Sequence, residues 1–243
     1  MRSGNPALTA DTFSAGRAYG DDQTMTVEGT VNKTAVTLLI IVATAFMTWK
    51  RAFAGEPVQG LMMGGLIGGL VLAMITIFKK TAAPITTPLY AACEGLALGG
   101  ISAMYEARFP GIVMNAVGLT FGTLFALLMA YKSRMIQVTE NFRLGLVAAT
   151  GGIMLVYLAG FVLSFFGVRI PLIHESGPVG ILFSVVVVGV AAFNLVLDFD
   201  FIEHGAGRGA PKYMEWYAAF GLMVTLVWLY VEFLRLLSKM RSH

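Results

Sequence analysis

Residues 193–239 decide how this chain folds, and they read FNLVLDFDFIEHGAGRGAPKYMEWYAAFGLMVTLVWLYVEFLRLLSK. Two long apolar runs flank a short, polar, Gly-rich segment, which is the pattern of a helical hairpin in a membrane. Asp198 and Asp200 lie in the first run, and Glu232 lies in the second. A carboxylate inside a membrane span costs roughly 3 kcal/mol or more, so it marks a functional site. We interpret the other apolar runs as helices that enclose these acids.

The composition extends this pattern to the whole chain. Of its 243 residues, 57% are hydrophobic and 13% are charged, whereas a soluble domain carries about 25% charged residues. The apolar residues form long blocks, which predicts an all-α, multi-pass membrane protein. Cys93 is the single cysteine, so no intrachain disulfide is expected. The net charge of +3 comes from Lys and Arg at the ends of the runs, and it indicates topology rather than nucleic-acid binding.

Seven apolar runs follow a polar start, and most match the roughly 20 residues that a helix needs to cross the hydrocarbon core. They are Thr34–Trp49, Val58–Phe78, Ile85–Tyr105, Gly111–Tyr131, Leu144–Phe166, Pro178–Ile202 and Trp216–Leu237. We therefore divide the chain into a polar tail of residues 1–33, predicted to be disordered, and a seven-helix transmembrane domain of residues 34–243. The first helix is expected to begin within residues 30–34.

The distribution of Lys and Arg predicts the orientation in the membrane. With the N-terminus inside, the inside segments hold ten such residues and the outside loops four. The ten are Arg2, Arg17, Lys33, Lys79, Lys80, Lys132, Arg134, Arg143, Arg208 and Lys212, and the four are Lys50, Arg51, Arg108 and Arg169. We predict a cytoplasmic N-terminus. Seven spans then place the C-terminus outside, yet Arg235, Lys239 and Arg241 crowd that end and favour the inside. A last helix that enters the membrane without crossing it would remove this conflict.

Glycine recurs at intervals of four residues, which predicts helix surfaces that allow close approach. The glycines in this pattern are Gly60, Gly64 and Gly68, Gly65 and Gly69, Gly95 and Gly99, and Gly118 and Gly122. The segment GAGRGAP, residues 205–211, resembles a phosphate-binding loop only loosely, because it follows a predicted membrane helix rather than a strand. We predict that it forms a flexible turn.

Glu94 lies near the middle of the third run, and nothing within that run neutralises its charge. One interpretation is a neutral, hydrogen-bonded acid that fixes helix packing. The other is a residue that lines a polar cavity. We favour the second, because acids inside a bilayer usually face a cavity.

The acids of the last two runs also have alternative interpretations. Asp198 and Asp200 point to roughly opposite sides of a helix, so one is expected to face the interior and the other the headgroups, with Glu203. Glu232 has Arg235 three residues later as a local ion-pair partner. Alternatively, Glu232 meets an acid of the preceding run. Two carboxyls in a low-dielectric interior do not both ionise easily and share a proton, so such a pair is a proton-sensitive latch.

The sequence gives no indication of a catalytic site. The last run has no lysine before Lys239, although a retinal-type protein needs one near the middle of that helix. His174, His204 and His243 fall in predicted loops or in the tail, so a protease with an intramembrane histidine is not expected. No cluster within a run has the residue spacing of a transition-metal site. We expect a protein that is not an enzyme and that has no bound metal or cofactor.

Three segments, in their order and spacing, resemble the Bax inhibitor-1/YccA family of membrane proteins. They are EGLALGGIS at 94–102, LDFDFIE at 197–203 and WLYVEFLRLL at 228–237. The opening MRSGNPAL resembles bacterial members of the family. The resemblance implies a seven-helix bundle with the last helix at its centre, in a bacterial plasma (inner) membrane. It also implies a pH-sensitive calcium leak, or, in a bacterial branch, binding to a membrane-bound ATP-dependent protease.

In the calcium-leak members, one aspartate on each of the last two helices forms a pH-sensing latch. By motif position these residues fall on Asp198 and on Glu232, where this chain has glutamate instead of aspartate. The two acids are expected to meet if residues 203–218 form a separate segment along the membrane interface. The same family members carry an arginine near the latch, and both Arg108 and Arg235 are candidates for it. The remaining candidates for lining the pathway are Glu94 and Asp200.

We therefore expect a pH-gated cation leak that passes calcium. Its partners would be the lipid bilayer and calcium ions, which would bind transiently near Asp198 and Glu232, and no nucleic acid. Two alternatives stay open, a regulatory partner of a membrane-bound protease without transport activity and a proton-coupled transporter.

Overall fold

The fold comes from a computed structural model that describes residues 24–164, 166–167 and 177–242. These residues form seven α-helices and no β-strand, which confirms the predicted all-α membrane fold. A 3-10 turn, Lys80–Ala82, joins the second and third helices. The helices are α1 Val27–Phe53, α2 Gln59–Phe78, α3 Ala83–Arg108, α4 Ile112–Lys132, α5 Glu140–Ser164, α6 Pro178–Gly207 and α7 Met214–Arg241.

Six of the seven helices in the described residues are long and apolar enough to cross a membrane. The exception is α3, whose buried surface consists mainly of small and hydroxylated residues. The last helix is the most buried of the six. In α7, 67% of the most apolar 18-residue stretch is buried, against 17% to 39% in the other five. This burial agrees with the central position predicted for the last helix.

The described residues group into two compact units. The first unit contains residues 24–108 and 200–224. The second contains residues 109–164, 166–167, 177–199 and 225–242. Helices α6 and α7 therefore each contribute one end to the first unit and the other end to the second.

In the first unit, α1 begins at Val27 because Thr26 caps it. The Thr26 hydroxyl accepts a hydrogen bond from the Gly29 N–H at 2.9 Å, as expected of a threonine before the first helical turn. The predicted start within residues 30–34 is therefore wrong, and residues 27–33 belong to α1. The rest of the predicted tail, residues 1–23, lies outside the described residues.

The buried surface of α1 consists mainly of threonines, and most of the large apolar side chains of this helix face outward, as expected in lipid. Their hydroxyls bond to the helix itself. Thr37 donates to the Lys33 carbonyl at 2.8 Å, and Thr44 donates to the Ile40 carbonyl at 2.9 Å. Five residues of this helix are buried: Thr30, Thr34, Thr37, Ile41 and Thr48.

Helix α3 packs against α1 and α2 at glycines. A Cβ at Gly95 would collide with the Thr44 hydroxyl and would lie 2.5 Å from the Ile41 carbonyl oxygen. A Cβ at Gly65 would lie 2.5 Å from the Cys93 carbonyl oxygen. The predicted close packing is confirmed here. The prediction of close packing is wrong for four other glycines of the pattern, which are exposed. A Cβ at any of them would have no described atom within 4 Å: Gly60, Gly64, Gly118 and Gly122.

The connection between α6 and α7 is shorter than the sequence predicts. Helix α6 continues to Gly207, so His204 and the first part of the predicted turn at 205–211 are helical. The chain reverses over residues 208–213, where Gly209 has a φ of 65° that favours glycine. The expected separate segment at 203–218 is not formed, since α6 continues to Gly207 and α7 begins at Met214.

The basic end of α7 is held by acceptors of the protein. Arg241 donates to the Pro110 carbonyl at 2.7 Å, and Lys239 donates to the Gly180 carbonyl at 3.0 Å. With 28 residues, α7 is about 42 Å long, which exceeds the thickness of a hydrocarbon core. The basic residues at the end of α7 can therefore be accommodated by a helix that crosses the membrane completely, and a last helix that stops within the membrane is not needed to explain them.

Candidate functional site

A buried acid in the second half of α7 sits in a three-residue cluster of the second unit. Glu232 is 1% exposed. Its Oε1 accepts hydrogen bonds from the Tyr157 hydroxyl at 2.9 Å and from Arg235 Nη1 at 2.8 Å. Arg235 also donates to the Tyr157 hydroxyl, and its guanidinium lies 4.9 Å from the centre of the Tyr157 ring. The predicted local pair of Glu232 and Arg235 is confirmed, and Tyr157 joins it to α5.

The second carboxylate oxygen of Glu232 differs from the first. Oε2 is buried and has no hydrogen-bond partner among the residues that the structure describes. An unsatisfied buried acceptor costs about 1–3 kcal/mol. In this cluster, Oε2 is the position at which a proton or a cation can bind without displacing a protein group.

Asp198 is completely buried on α6 and belongs to the same unit as Glu232. It precedes the end of α6 at Gly207 by nine residues, whereas Glu232 follows the start of α7 at Met214 by eighteen. At 1.5 Å of rise per residue, Glu232 lies farther from the α6–α7 turn than Asp198 does, by on the order of 10 Å along the helix axes. The helix bounds give no support to a direct bond, and the pairing of Asp198 with Glu232 stays a prediction.

Asp200 is also buried, at 8% exposure, and belongs to the first unit. Its Oδ1 lies 3.3 Å from Nδ1 of His204, one helical turn later, and the same nitrogen lies 2.7 Å from the Asp200 carbonyl oxygen. The expectation that one of the two aspartates would face the headgroups is therefore wrong. Both are buried on an unbroken helix, because the protein encloses this part of α6 on both sides.

Glu94 lies between α3 and α2 in the first unit. A Cβ at Gly69 would lie 3.1 Å from its Oε2, so the missing side chain of Gly69 makes room for the carboxylate. One turn earlier on α3, the buried ring of Tyr90 packs edge-on against Phe220 at 4.9 Å. Arg108, the last residue of α3, is exposed. The other candidate arginine, Arg235, contacts the buried acid Glu232.

The sequence interpretation missed Tyr157, although a signal existed. A tyrosine within a long apolar run needs a hydrogen-bond partner when it is buried. Tyr157 lies inside the predicted run Leu144–Phe166, and its hydroxyl has Glu232 and Arg235 as partners. Which charged residues it meets depends on helix packing, and the sequence alone does not give that packing.

A second buried carboxylate was also missed, at the start of α7. Glu215 is fully buried, and its Oε1 accepts the Thr26 N–H and hydroxyl, each at 3.0 Å. Lys212 Nζ lies 2.9 Å from Oε1, and Lys33 Nζ lies 3.2 Å from Oε2. A side chain at Gly29 would collide with this carboxylate. Glu215 therefore joins the start of α7 to the start of α1 within the first unit.

The helices and the buried cluster define a polytopic, all-α membrane protein with ionisable side chains inside its spans. The chain belongs to the Bax inhibitor 1 like family, whose sequence model matches residues 5–242. Comparison with curated proteins finds no match. The family resemblance of the three sequence segments is thereby confirmed.

Proposed function

We propose that the protein is a pH-sensitive leak pathway for cations, calcium in particular, with Asp198 and Glu232 as its gating carboxylates. The observation that carries this proposal is the Glu232 carboxylate. It is 1% exposed inside a membrane helix, and Oε2 has no hydrogen-bond partner among the described residues. Acids kept in such positions line ion and proton pathways in membrane proteins. Calcium prefers oxygen ligands of this kind, and here it is the permeant ion rather than a bound cofactor.

The cluster supplies a mechanism for pH sensitivity. When Glu232 is ionised, its charge-assisted hydrogen bond holds Arg235, and Tyr157 connects the pair to α5. Protonation removes the negative charge, weakens the bond to Arg235 and loosens the contact between α5 and α7. The leak is therefore expected to increase as the pH falls. Asp198, fully buried on α6, provides a second acidic position along the same path.

Calcium flux into liposomes that contain the purified protein tests the proposal. Wild-type protein is expected to admit calcium faster as the pH falls. Glu232→Gln and Asp198→Asn are each expected to flatten this pH dependence, because each removes a titrating group. Asp200→Asn is the matched control, and it is expected to keep the dependence because Asp200 pairs with His204 in the first unit. Flux that never exceeds the rate of protein-free liposomes would contradict the leak.

The orientation is part of the proposal. The excess of Lys and Arg in the inside segments supports a cytoplasmic N-terminus in a bacterial inner membrane. A reporter inserted in residues 133–139, between α4 and α5, is expected to give a cytoplasmic signal. A periplasmic signal from this loop would reverse the assignment.

The alternative is a regulatory partner of a membrane-bound ATP-dependent protease, and neither proposal includes an enzymatic step. Native membranes treated with a cross-linker distinguish the two. Absence of calcium flux, together with specific recovery of a protease with the tagged protein, would favour the regulatory partner. Calcium flux from the purified protein alone would favour the leak.

A further inference from the structure

Lys239 occupies an unusual position for a lysine near a helix end. It lies two residues before the last residue of α7, yet it is 5% exposed. A lysine so placed ordinarily extends its ammonium group to the membrane surface. Here Nζ is directed inward and donates to the Gly180 carbonyl at 3.0 Å and to the Ser184 hydroxyl at 2.9 Å, both near the start of α6. Neither acceptor carries a charge, so these bonds leave the positive charge of Lys239 in place.

The buried face of α7 around this lysine is positive overall. Glu232, Arg235 and Lys239 are spaced by three and four residues and therefore lie on one face of the helix. The single acid is already engaged by Arg235 at 2.8 Å. Among the described residues of the second unit, the other acids are Glu140, which pairs with Arg143, and Asp198. Asp198 lies on the order of 10 Å away along the helix axes, so among the described residues of this unit no acid pairs with Lys239.

We propose that Lys239 is a cationic barrier that restrains the leak in its closed state, where it opposes calcium more strongly than potassium. This inference rests on the proposed leak function. Coulomb repulsion is proportional to the charge of the ion, so the ammonium group opposes calcium twice as strongly as potassium. Its flexible four-carbon stem allows it to leave Gly180 and Ser184 and reach the surface when the pathway opens.

Lys239 could instead have a purely structural role, because its hydrogen bonds to Gly180 and Ser184 also connect α7 to α6. Loss of such a fastening would loosen the two helices and raise the flux of every ion in proportion. Loss of a charge barrier would raise calcium flux more than potassium flux. The ratio of the two fluxes therefore separates the two roles.

The test measures calcium and potassium flux in parallel, in liposomes from one preparation of each variant. Lys239→Gln is expected to raise calcium flux by roughly tenfold and to increase the calcium-to-potassium ratio. Lys239→Met, which keeps the apolar stem and approximate volume, tests the same charge if the glutamine variant does not fold. Lys239→Arg keeps the charge and is expected to keep the wild-type ratio. Ser184→Ala removes one hydrogen bond but no charge, and both fluxes are expected to change together.

The outcomes distinguish this inference from the function on which it rests. Wild-type liposomes without any flux would refute the leak, and the barrier with it. Wild-type flux together with an unchanged ratio in both Lys239→Gln and Lys239→Met would refute only the barrier. A ratio that increases in those two variants, but not in Lys239→Arg or Ser184→Ala, would support it.

Discussion

The Tyr157 hydroxyl donates to the Glu232 carboxylate across 2.9 Å, between residues 75 positions apart in the chain. The bond between Glu232 and Arg235 lies within α7, so that ion pair alone does not join two helices. Within this cluster, Tyr157 is the side chain that connects the ion pair to α5. The charge of Glu232 is therefore connected to α5 through the hydroxyl group of Tyr157.

Replacing Tyr157 by phenylalanine tests this connection. Tyr157→Phe keeps the ring but removes the hydroxyl that bonds to both charged groups, so we expect a loss of about 1–2 kcal/mol in unfolding free energy. We also expect a shallower pH dependence of calcium flux. Thermal unfolding in detergent and liposome flux are the measurements. Tyr105→Phe, at a partly exposed position near the end of α3, is the control. Equal effects of the two substitutions would argue against a special role for Tyr157.

Glu94→Gln tests whether the acid between α2 and α3 lines the pathway. The amide has nearly the same shape as the carboxyl but never ionises, so the packing against Gly69 is expected to persist. If Glu94 lines the pathway, calcium flux changes while the unfolding temperature stays close to that of the wild type. A change in unfolding temperature alone would identify Glu94 as a packing residue.

Glu215→Gln tests the junction between α1 and α7. The fully buried carboxylate binds Thr26, Lys33 and Lys212, and its loss leaves charged partners without their counter-ion. We expect destabilisation of about 2–3 kcal/mol. The control is Glu56→Gln, which removes an exposed ion pair of 3.7 Å with Arg51 and should cost less than about 1 kcal/mol. Chemical unfolding in detergent compares the two, and equal costs would refute the junction.

Gly95→Ala tests the close contact of α3 with α1. The added methyl group would collide with the Thr44 hydroxyl and the Ile41 backbone, so we expect destabilisation of about 1–3 kcal/mol from overpacking. Gly118→Ala, on α4, adds a methyl where no described atom lies within 4 Å. It is expected to be neutral or slightly stabilising, because alanine favours helix more than glycine does. Unfolding temperatures that fall equally in both variants would show that the glycine contact does not matter.

The apolar runs predicted the number of helices because lipid requires every span to satisfy its own backbone. They did not predict where helices begin and end. Helix α1 begins at Val27 and α6 ends at Gly207, and both positions lie outside the apolar runs. High hydropathy marks the part of a helix that lies in lipid, but it does not mark the ends of the helix. Capping by Thr26 depends on the Gly29 amide, but its bonds to Glu215 depend on a residue 189 positions away. A local sequence pattern can predict the contact between Thr26 and Gly29, but it cannot predict the contact between Thr26 and Glu215.

The same distinction applies to the site. The pair of Glu232 and Arg235 was predictable, because residues three apart on a helix are neighbours. Tyr157 and the position of Asp198 depend on how helices distant in sequence pack together. The burial of Asp200 depends on the protein that surrounds α6, so helix geometry alone gave the wrong answer for it.

The division of α6 and α7 between two units has a consequence for how the protein is made. The first unit needs residues 200–224 as well as the first three helices, so it is not encoded by one continuous part of the chain. During synthesis, α1 to α3 enter the membrane long before Glu215 is translated. Until then, Thr26 and Lys33 have no buried carboxylate to bind. A ribosome that stalls before residue 215 would therefore leave inserted helices whose final partner does not yet exist.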